Sequence, residues 1–454
     1  MGILKQYAYN NHLISLFGGV MMIIIRVSIM ISVVFYLYFI INLLLINHYR
    51  EPTQTYEKGP TPYELFLVIP VLNEEQVITK TIARLSKSLA QLPSTIRAQI
   101  IAVDDDSTDH SLLMLTQSSS PYLQILHRAG NQRVGKGAVL NTAVQYIHKT
   151  LATTADTHQA VIGVLDADAF MTATDLIRVL ARFEQEPQLA MLQTSVSIYN
   201  QSNWLTKMQN FEFMGVNNAT QQLRNRLGQG IASGNGQFVR LDLALKNPWG
   251  NSLLEDLEFT LRTWLLGGTR TTFDHTLVVQ QEAIEQLRPF FRQRVRWCQG
   301  AVQCMRYLPA LWHSGRLNHF QKLDTTFWIL MPISGCVVPL TSLTTLIVLV
   351  SRSVQHWQSG WHHLVIGTLL AIALIACLVL AALYQRNCTT VKQPVRFMTA
   401  IKQSLSFQAF LLIISLTPYV AIYRQLRGHT TWAKTRHGTT RATQYTDSDL
   451  KRSY

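Results

Sequence analysis

The sequence predicts an α/β domain, built on a mostly parallel sheet and inserted between apolar segments long enough to cross a membrane. Three observations lead there. From residue 63 to residue 195, short apolar runs alternate with stretches of helical period, the pattern of strands joined by crossover helices. Two of those runs end in clusters of aspartate. Long apolar stretches lie toward both ends of the chain, whereas the middle has the composition of an ordinary globular domain.

Taken in order, Leu13–Ile46 is apolar apart from Arg26. Its best spanning piece is Val27–Asn47, enough for a hydrocarbon core of ~30 Å. No small-residue cleavage site follows, which favours a retained anchor. Arg50 and Lys58 then favour a cytoplasmic position for what comes next. Glu51–Pro62 is a Pro- and Gly-containing linker. The alternation then runs Leu65–Pro70 strand, Glu75–Leu89 helix, Gln99–Val103 strand, Ser107–Gln117 helix and Leu123–His127 strand. It continues with Gly137–His148 helix, Val161–Leu165 strand, Asp175–Phe183 helix and Ala190–Ser195 strand. Trp204–Arg224 is expected as an amphipathic helix, Leu253–Leu266 as another, and Arg288–Leu308 as a basic one with aromatic residues.

Three apolar segments follow, Thr325–Val350, His363–Tyr384 and Phe407–Tyr423. Pro332, Gly335 and Pro339 predict a kink in the first. The loop Gln385–Gln403 carries Arg386, Lys392, Arg396 and Lys402 without an acid, and the tail carries Arg424, Arg427, Lys434, Arg436 and Arg441. Both are expected in the cytoplasm. A single crossing at Phe407–Tyr423 cannot leave both of its ends on one side, so the parity of the spans stays open. The expected divisions are an anchor at 1–50, a catalytic domain at 51–285, an interface helix region at 286–323, membrane helices at 324–424 and a basic tail at 425–454.

The net charge is +14. Basic flanks of membrane segments account for most of it, and no basic stripe with interleaved aromatics points to nucleic acid. The apolar segments hold almost no ionisable residues, which argues against a transporter. The five cysteines show no metal or disulfide spacing.

Against this basic background the acids are concentrated. Asp104-Asp105-Asp106-Ser107-Thr108-Asp109 follows Gln99–Val103, and Asp166-Ala167-Asp168 follows Val161–Leu165. In an open α/β sheet the C-terminal strand ends are where ligands bind. Adjacent carboxylates there repel unless a cation or donors compensate. Asp166 and Asp168, at i and i+2, can reach one side of a strand end and suit Mg²⁺ or Mn²⁺ shared with substrate phosphates. Pro70-Val71-Leu72-Asn73-Glu74 reads either as strand-to-helix punctuation or as a loop touching a nucleotide. Gly135-Lys136-Gly137 reads either as a glycine turn or as a phosphate site at a helix start. Glu255-Asp256 opens a helix, where acids are favoured by the dipole, and a carboxylate there can also act as a general base. Gln293, Arg296 and Trp297 share one face of the basic helix.

This ordered set resembles the membrane-bound family 2 glycosyltransferases, which include cellulose, hyaluronan and poly-N-acetylglucosamine synthases and their glycolipid-making relatives. The match covers roughly Tyr63 to Trp297 and the flanking spans. The resemblance implies a Rossmann-like GT-A domain on the cytoplasmic face of the plasma membrane, inverting at the sugar carbon. It implies a UDP-sugar site lined by Pro70, Asn73, Glu74, Asp104, Asp105, Lys136 and Asp166, and a metal held by Asp166 and Asp168. Gly234, Asn235, Gly236, Gln237 and Glu255 would shape the acceptor side, with Gln293, Arg296 and Trp297 at the membrane entrance and Asp256 as the catalytic base. Two departures stand out: Asp106 where the family usually has Gly, and Leu254 where Thr often precedes the Glu-Asp pair. The expected product is a β-linked polysaccharide, with a glycolipid as the alternative and an accessory membrane subunit as a possible partner.

Overall fold

The computed structural model of the chain describes residues 63–130, 135–151, 157–355 and 360–428, together with helical residues between 23 and 46. The linker 51–62 and the tail from 429 lie outside the described residues, as does most of the N-terminal segment.

A seven-stranded sheet organises the domain. It comprises β1 (Tyr63–Val71), β2 (Ile96–Asp104), β3 (Leu123–His127), β4 (Ala160–Val164), β5 (Leu189–Ile198), β6 (Gln237–Arg240) and β7 (Arg270–Gln281). Their spatial order is β3-β2-β1-β4-β6-β5-β7. The pairs among β1 to β4 are parallel, as is β5 with β7, while β6 runs antiparallel between β4 and β5. On β1, Leu65, Leu67 and Ile69 enter one core and Phe66 and Val68 the other, the period-two alternation of a strand covered on both faces.

The first core is closed by α1 (Ile78–Leu89), α2 (Ser111–Thr116) and α4 (Ala173–Gln185); α3 (Lys136–Tyr146) covers the other face. Next come α5 (Trp204–Asn210), a π-helical turn at Phe211–Asn217, and α6 (Asn218–Arg226). Then follow α7 (Leu241–Lys246), α8 (Glu255–Leu266), α9 (Leu287–Cys304), α10 (Leu308–His313) and α11 (His319–Ile329). The apolar part consists of α12 (Met331–Gln355), α13 (Gly360–Thr390), α14 (Phe397–Ile414) and α15 (Thr417–Leu426). Three stretches here are long and apolar enough to cross a membrane: Met331–Val348, Ile366–Thr390 and Phe397–Leu426.

Several sequence expectations are corrected. β6, β7 and α7 were not anticipated. β6 is only four residues long, and β7 carries Arg270, Asp274 and His275 within its twelve. α1 and α2 start three to four residues later than expected, because the loops before them bind each other. Asn73 N donates to Ser107 Oγ at 2.9 Å, and Glu74 N to Ser111 Oγ at 2.6 Å. Trp204–Arg224 is not a simple amphipathic helix, since its middle is π-helical and it is buried on more than one side. Thr325–Val350 breaks at Leu330, and Phe407–Tyr423 belongs to two helices separated at Ser415–Leu416. Pro332 and Pro418 each sit in the first turn of the new helix, where a missing N–H costs nothing.

Candidate active site

The C-terminal ends of β1, β2 and β4 open on one side of the sheet, and a cavity of about 140 Å³ lies there. Pro70, Glu74, Asp105, Lys136, Asp166, Asp168, Gly234, Asn235, Glu255, Asp256, Gln293, Arg296 and Trp297 all line it. Carboxylates from residues 105, 168 and 256 therefore share one cleft.

The first acidic cluster meets basic partners within the protein. Asp104 is fully buried, accepts from His127 Nδ1 at 2.9 Å and does not line the cavity. Asp105 does line it, and pairs with Arg128 at 2.5 Å. Asn73 also stays off the cavity wall. Its Oδ1 accepts from Thr108 N at 2.7 Å, so it ties the β1 loop to the β2 loop. Asp106 has a φ of 60°, the left-handed conformation in which glycine is at ease.

The second cluster is arranged differently. Lys136, at the start of α3, donates to Asp166 Oδ1 at 2.6 Å and to the Gly234 carbonyl at 2.8 Å, and lies 3.8 Å from Glu255. Asp168 Oδ2 accepts from Glu282 N at 3.2 Å. Burial, then the charges of Asp166 and Glu282, push the Asp168 carboxyl well above the usual range. Excess negative charge on two neighbouring hard-oxygen donors fits a divalent cation such as Mg²⁺ or Mn²⁺. Among the described residues no group of three side chains makes a complete cage.

A loop bridges this cluster to the base candidate. Asn235 Oδ1 accepts from Asp166 N at 3.2 Å, and its Nδ2 donates to Gln281 Oε1 at 2.6 Å. Gly234 has φ 74°, and a Cβ there would come within 3.0 Å of Asp256 Oδ2. Gly236 and Gln237 lie behind the cavity. A Cβ on Gly236 would overlap Thr194 Oγ1, and Gln237 is buried in β6 beside Met191. Asp256 stands in the first turn of α8. Burial and the Glu255 charge raise its carboxyl to about 7, with Lys136 pulling the other way.

The far wall belongs to α9. Gln293, Arg296 and Trp297 face the cavity together, as their spacing predicts. Arg294 points away, held by Glu212 through a two-pronged pair at 2.8 and 2.6 Å, and lies 4.3 Å from the Trp297 ring. Phe213, carried by the π-helical turn, meets Trp297 edge-on at 6.4 Å between centroids.

Comparison with known proteins agrees with this geometry. Residues 66–245 match the model of glycosyl transferase family 2, and residues 161–385 match that of glycosyl transferase family group 2. The chain carries glycosyltransferase family 2 domains. Two curated relatives, from Nostoc sp. PCC 7120 and Trichormus variabilis, are both named beta-monoglucosyldiacylglycerol synthase. Each is 28% identical over 314 residues, covering 67% of this chain. The match spans 62% of the relatives' own length. Among solved structures, the mannosyltransferase PcManGT of Pyrobaculum calidifontis, in complex with GDP-Man and Mn²⁺, superposes with a TM-score of 0.50 at 15% identity. That match covers 86% of this chain and 96% of the other, and the shared fold is the Rossmann-like GT-A fold.

Sequence reading of this glycosyltransferase missed four groups at or beside the cavity. Gln281 ends β7 and Glu282 follows it, so both were lost with that strand. The signal was present, since β7 delivers Gln-Gln-Glu much as β4 delivers its aspartates. Phe213 and Glu212 depend on the π-helical turn, which has no marker in the sequence. Leu254, the departure from the usual Thr, stands at the N-cap of α8 without making a side-chain cap bond. It lines the cavity instead and abuts Gly300, where a Cβ would lie 2.5 Å from it.

Proposed function

We propose that the protein is an inverting hexosyltransferase that moves a sugar from a UDP-sugar to a membrane lipid of the diacylglycerol type. The observation that carries the chemistry is the convergence of Asp166, Asp168, Asp256 and Arg296 on one cavity. The lipid acceptor is supported by the name shared by the two curated relatives, and glucose is accordingly the first sugar to test. Val196, Phe213 and Trp297 give the cavity an apolar, aromatic flank, in keeping with an acceptor drawn from lipid.

In this reading Pro70, Glu74 and Asp105 receive the uridine, with Asn73 and Asp104 fixing the loops behind them. Asp166 and Asp168 hold Mg²⁺ or Mn²⁺, which supplies positive charge to the donor diphosphate. Asp256 takes the proton of the acceptor hydroxyl as that oxygen bonds to the anomeric carbon from the side opposite the leaving UDP. Lys136 and Arg296 stabilise the charge gathering on the departing diphosphate. Gly234 and Asn235 line the acceptor side with Glu255, Gln293 and Trp297, and Gly236 and Gln237 hold that loop from behind. Residues 51–285 form the catalytic domain, 286–323 its interface region and 324–424 the membrane part. The catalytic domain faces the cytoplasm at the plasma membrane.

Purified protein in lipid, given labelled UDP-sugars with Mg²⁺ or Mn²⁺, is expected to release UDP and form a solvent-extractable product of one or two sugars. A labelled polymer retained in a gel would instead favour polysaccharide synthesis. No UDP release with any hexose donor would overturn both.

A further inference from the structure

We propose that α14 and α15 do not cross the membrane. They lie flat against the catalytic domain with their other face in the interfacial layer of the bilayer, so both ends of the pair are on the domain's side. This rests on reading the chain as membrane-bound.

The contacts follow the pair along its whole length. Ser404 Oγ donates to the Cys377 carbonyl at 2.8 Å, and Trp204 Nε1 donates to Ser406 Oγ at 2.8 Å. Phe407 lies 5.0 Å from Phe211, and Phe410 lies 5.3 Å from Phe290. Past the break, Cys298 Sγ is 3.5 Å from Thr417 Oγ1, and Gln299 and Gln303 donate to Gln425 at 3.2 and 3.3 Å. Contacts at 410, 417 and 425 thus meet α9 at 290, 298 and 303, so the two tracks run side by side in the same direction. α14 from 400 to 414 climbs roughly 21 Å and α15 from 417 to 425 roughly 12 Å at 1.5 Å per residue, together more than a hydrocarbon core of ~30 Å. A crossing helix would have left the domain well before its end.

α12 and α13 behave otherwise. α12 touches its neighbours near its start, where Gly335 faces Pro418 and the Cys336 carbonyl accepts from Tyr419. α13 is fixed near its end, where Tyr384 accepts from Asn210 and Asn387 donates to the Met214 carbonyl. Toward residues 355 and 360 both expose apolar side chains, including Leu346, Val350, Leu364 and Leu370. They form an out-and-back pair that returns the chain to the side it left.

The uncovered face of α14 specifies its occupant. Met398, Leu405 and Leu412 recur every seventh residue and are 65%, 49% and 70% exposed. Leu416, Tyr419 and Tyr423 continue the exposed apolar surface onto α15, and tyrosine favours the membrane–water interface. Along one edge of α14, Lys402 and Ser406 join Trp204 and Lys207 of α5 in a shallow groove. The sequence has no Asp or Glu between Asp324 and Asp447, and the stretch 385–428 holds six cations. A flat helix with an apolar face and basic surroundings matches an anionic lipid surface. The same arrangement resolves the parity conflict, because the loop before α14 and the chain after α15 then share one side.

The test uses the full chain in sealed vesicles of one orientation. Thr389→Cys, Thr430→Cys and Ser359→Cys are labelled with an impermeant maleimide, with the parent chain as blank. Positions 389 and 430 should label from one side and 359 from the other; labelling of 389 and 430 from opposite sides overturns the proposal. A fluorophore on Leu412→Cys should be quenched more strongly by lipids brominated near the headgroup than by lipids brominated at the chain end. Stronger deep quenching overturns the flat placement. Quenching by neither overturns lipid as the occupant and assigns the face to a protein partner.

Discussion

At the end of β2, Asp104 and Asp105 are met by His127 and Arg128 from the end of β3. At the end of β4, Asp166 and Asp168 are joined by a further acid, Glu282, from the end of β7. The two strand ends look alike in sequence, an apolar run followed by aspartates. The fold gives each aspartate of the first a basic partner; at the second Lys136 meets Asp166, while Glu282 adds acid beside Asp168. Carboxylates paired inside the protein hold loops in place, whereas Asp168, crowded by further acid, has the character that suits a divalent cation. Lys136 stands between Asp166 and Glu255, the neighbour of Asp256.

The strongest way to sharpen this contrast is at the base. Asp256→Asn should cut turnover by about 10²- to 10⁴-fold, the usual worth of a general base, while UDP affinity measured by calorimetry stays within a factor of a few. Wild-type turnover would remove Asp256 from the mechanism.

Next comes the same isosteric change at each acidic strand end. Asp105→Asn weakens a buried charge-assisted pair and should lower stability by about 1–3 kcal/mol. Asp168→Asn removes like-charge repulsion, so metal-free protein should melt at a higher temperature while metal-dependent UDP binding is lost. If both changes shift the melting temperature in the same direction, the contrast between the clusters fails.

The pH dependence follows from Asp256. With its carboxyl raised to about 7, kcat/KM should fall as pH drops below that value, because the base becomes protonated. Stability runs the opposite way. A folded-state value above the unfolded one, about 3.9, means the native protein binds more protons between them. The contribution of Asp256 is therefore fully present below about pH 4 and lost as pH rises toward 7. Denaturant titrations of ligand-free wild type and Asp256→Asn should converge at low pH and separate on the way to neutrality.

The smallest expected effect is at the turn of the first cluster. Asp106 adopts φ 60° with a Cβ, so Asp106→Gly should change stability by no more than about 1 kcal/mol, seen as a small rise in the denaturation midpoint.

The parallel half of the fold was legible because β1, β2 and β4 are continuous apolar runs punctuated by Pro70, Asp104 and Asp166. The other half was not, because β6 is short and β7 mixes charges into a strand covered on both faces. For the site, the spacing of Gln293, Arg296 and Trp297 on one helix face was sufficient. The resemblance singled out Lys136 and Asp256, and both line the same cavity. The roles of Asn73 and Asp104 as loop fasteners needed coordinates, since a polar residue beside a site has the same spelling whether it meets the ligand or its neighbours. Glu212 and Phe213 were hidden because a π-helical turn shifts which side chains face inward without altering composition.

The segment before α8 is fastened chiefly to α9. Gln303 Oε1 accepts from Leu253 N at 2.9 Å, and Ser252 Oγ lies 3.3 Å from the Gly300 carbonyl. Arg306, just beyond α9, pairs with Glu258 of α8. The proposed base, Asp256, thus takes its reference from α9, while the proposed nucleotide loops take theirs from the sheet. Stripping the protein from its bilayer should then blunt the chemical step while leaving nucleotide capture intact, so detergent extracts would underreport the enzyme without appearing unfolded.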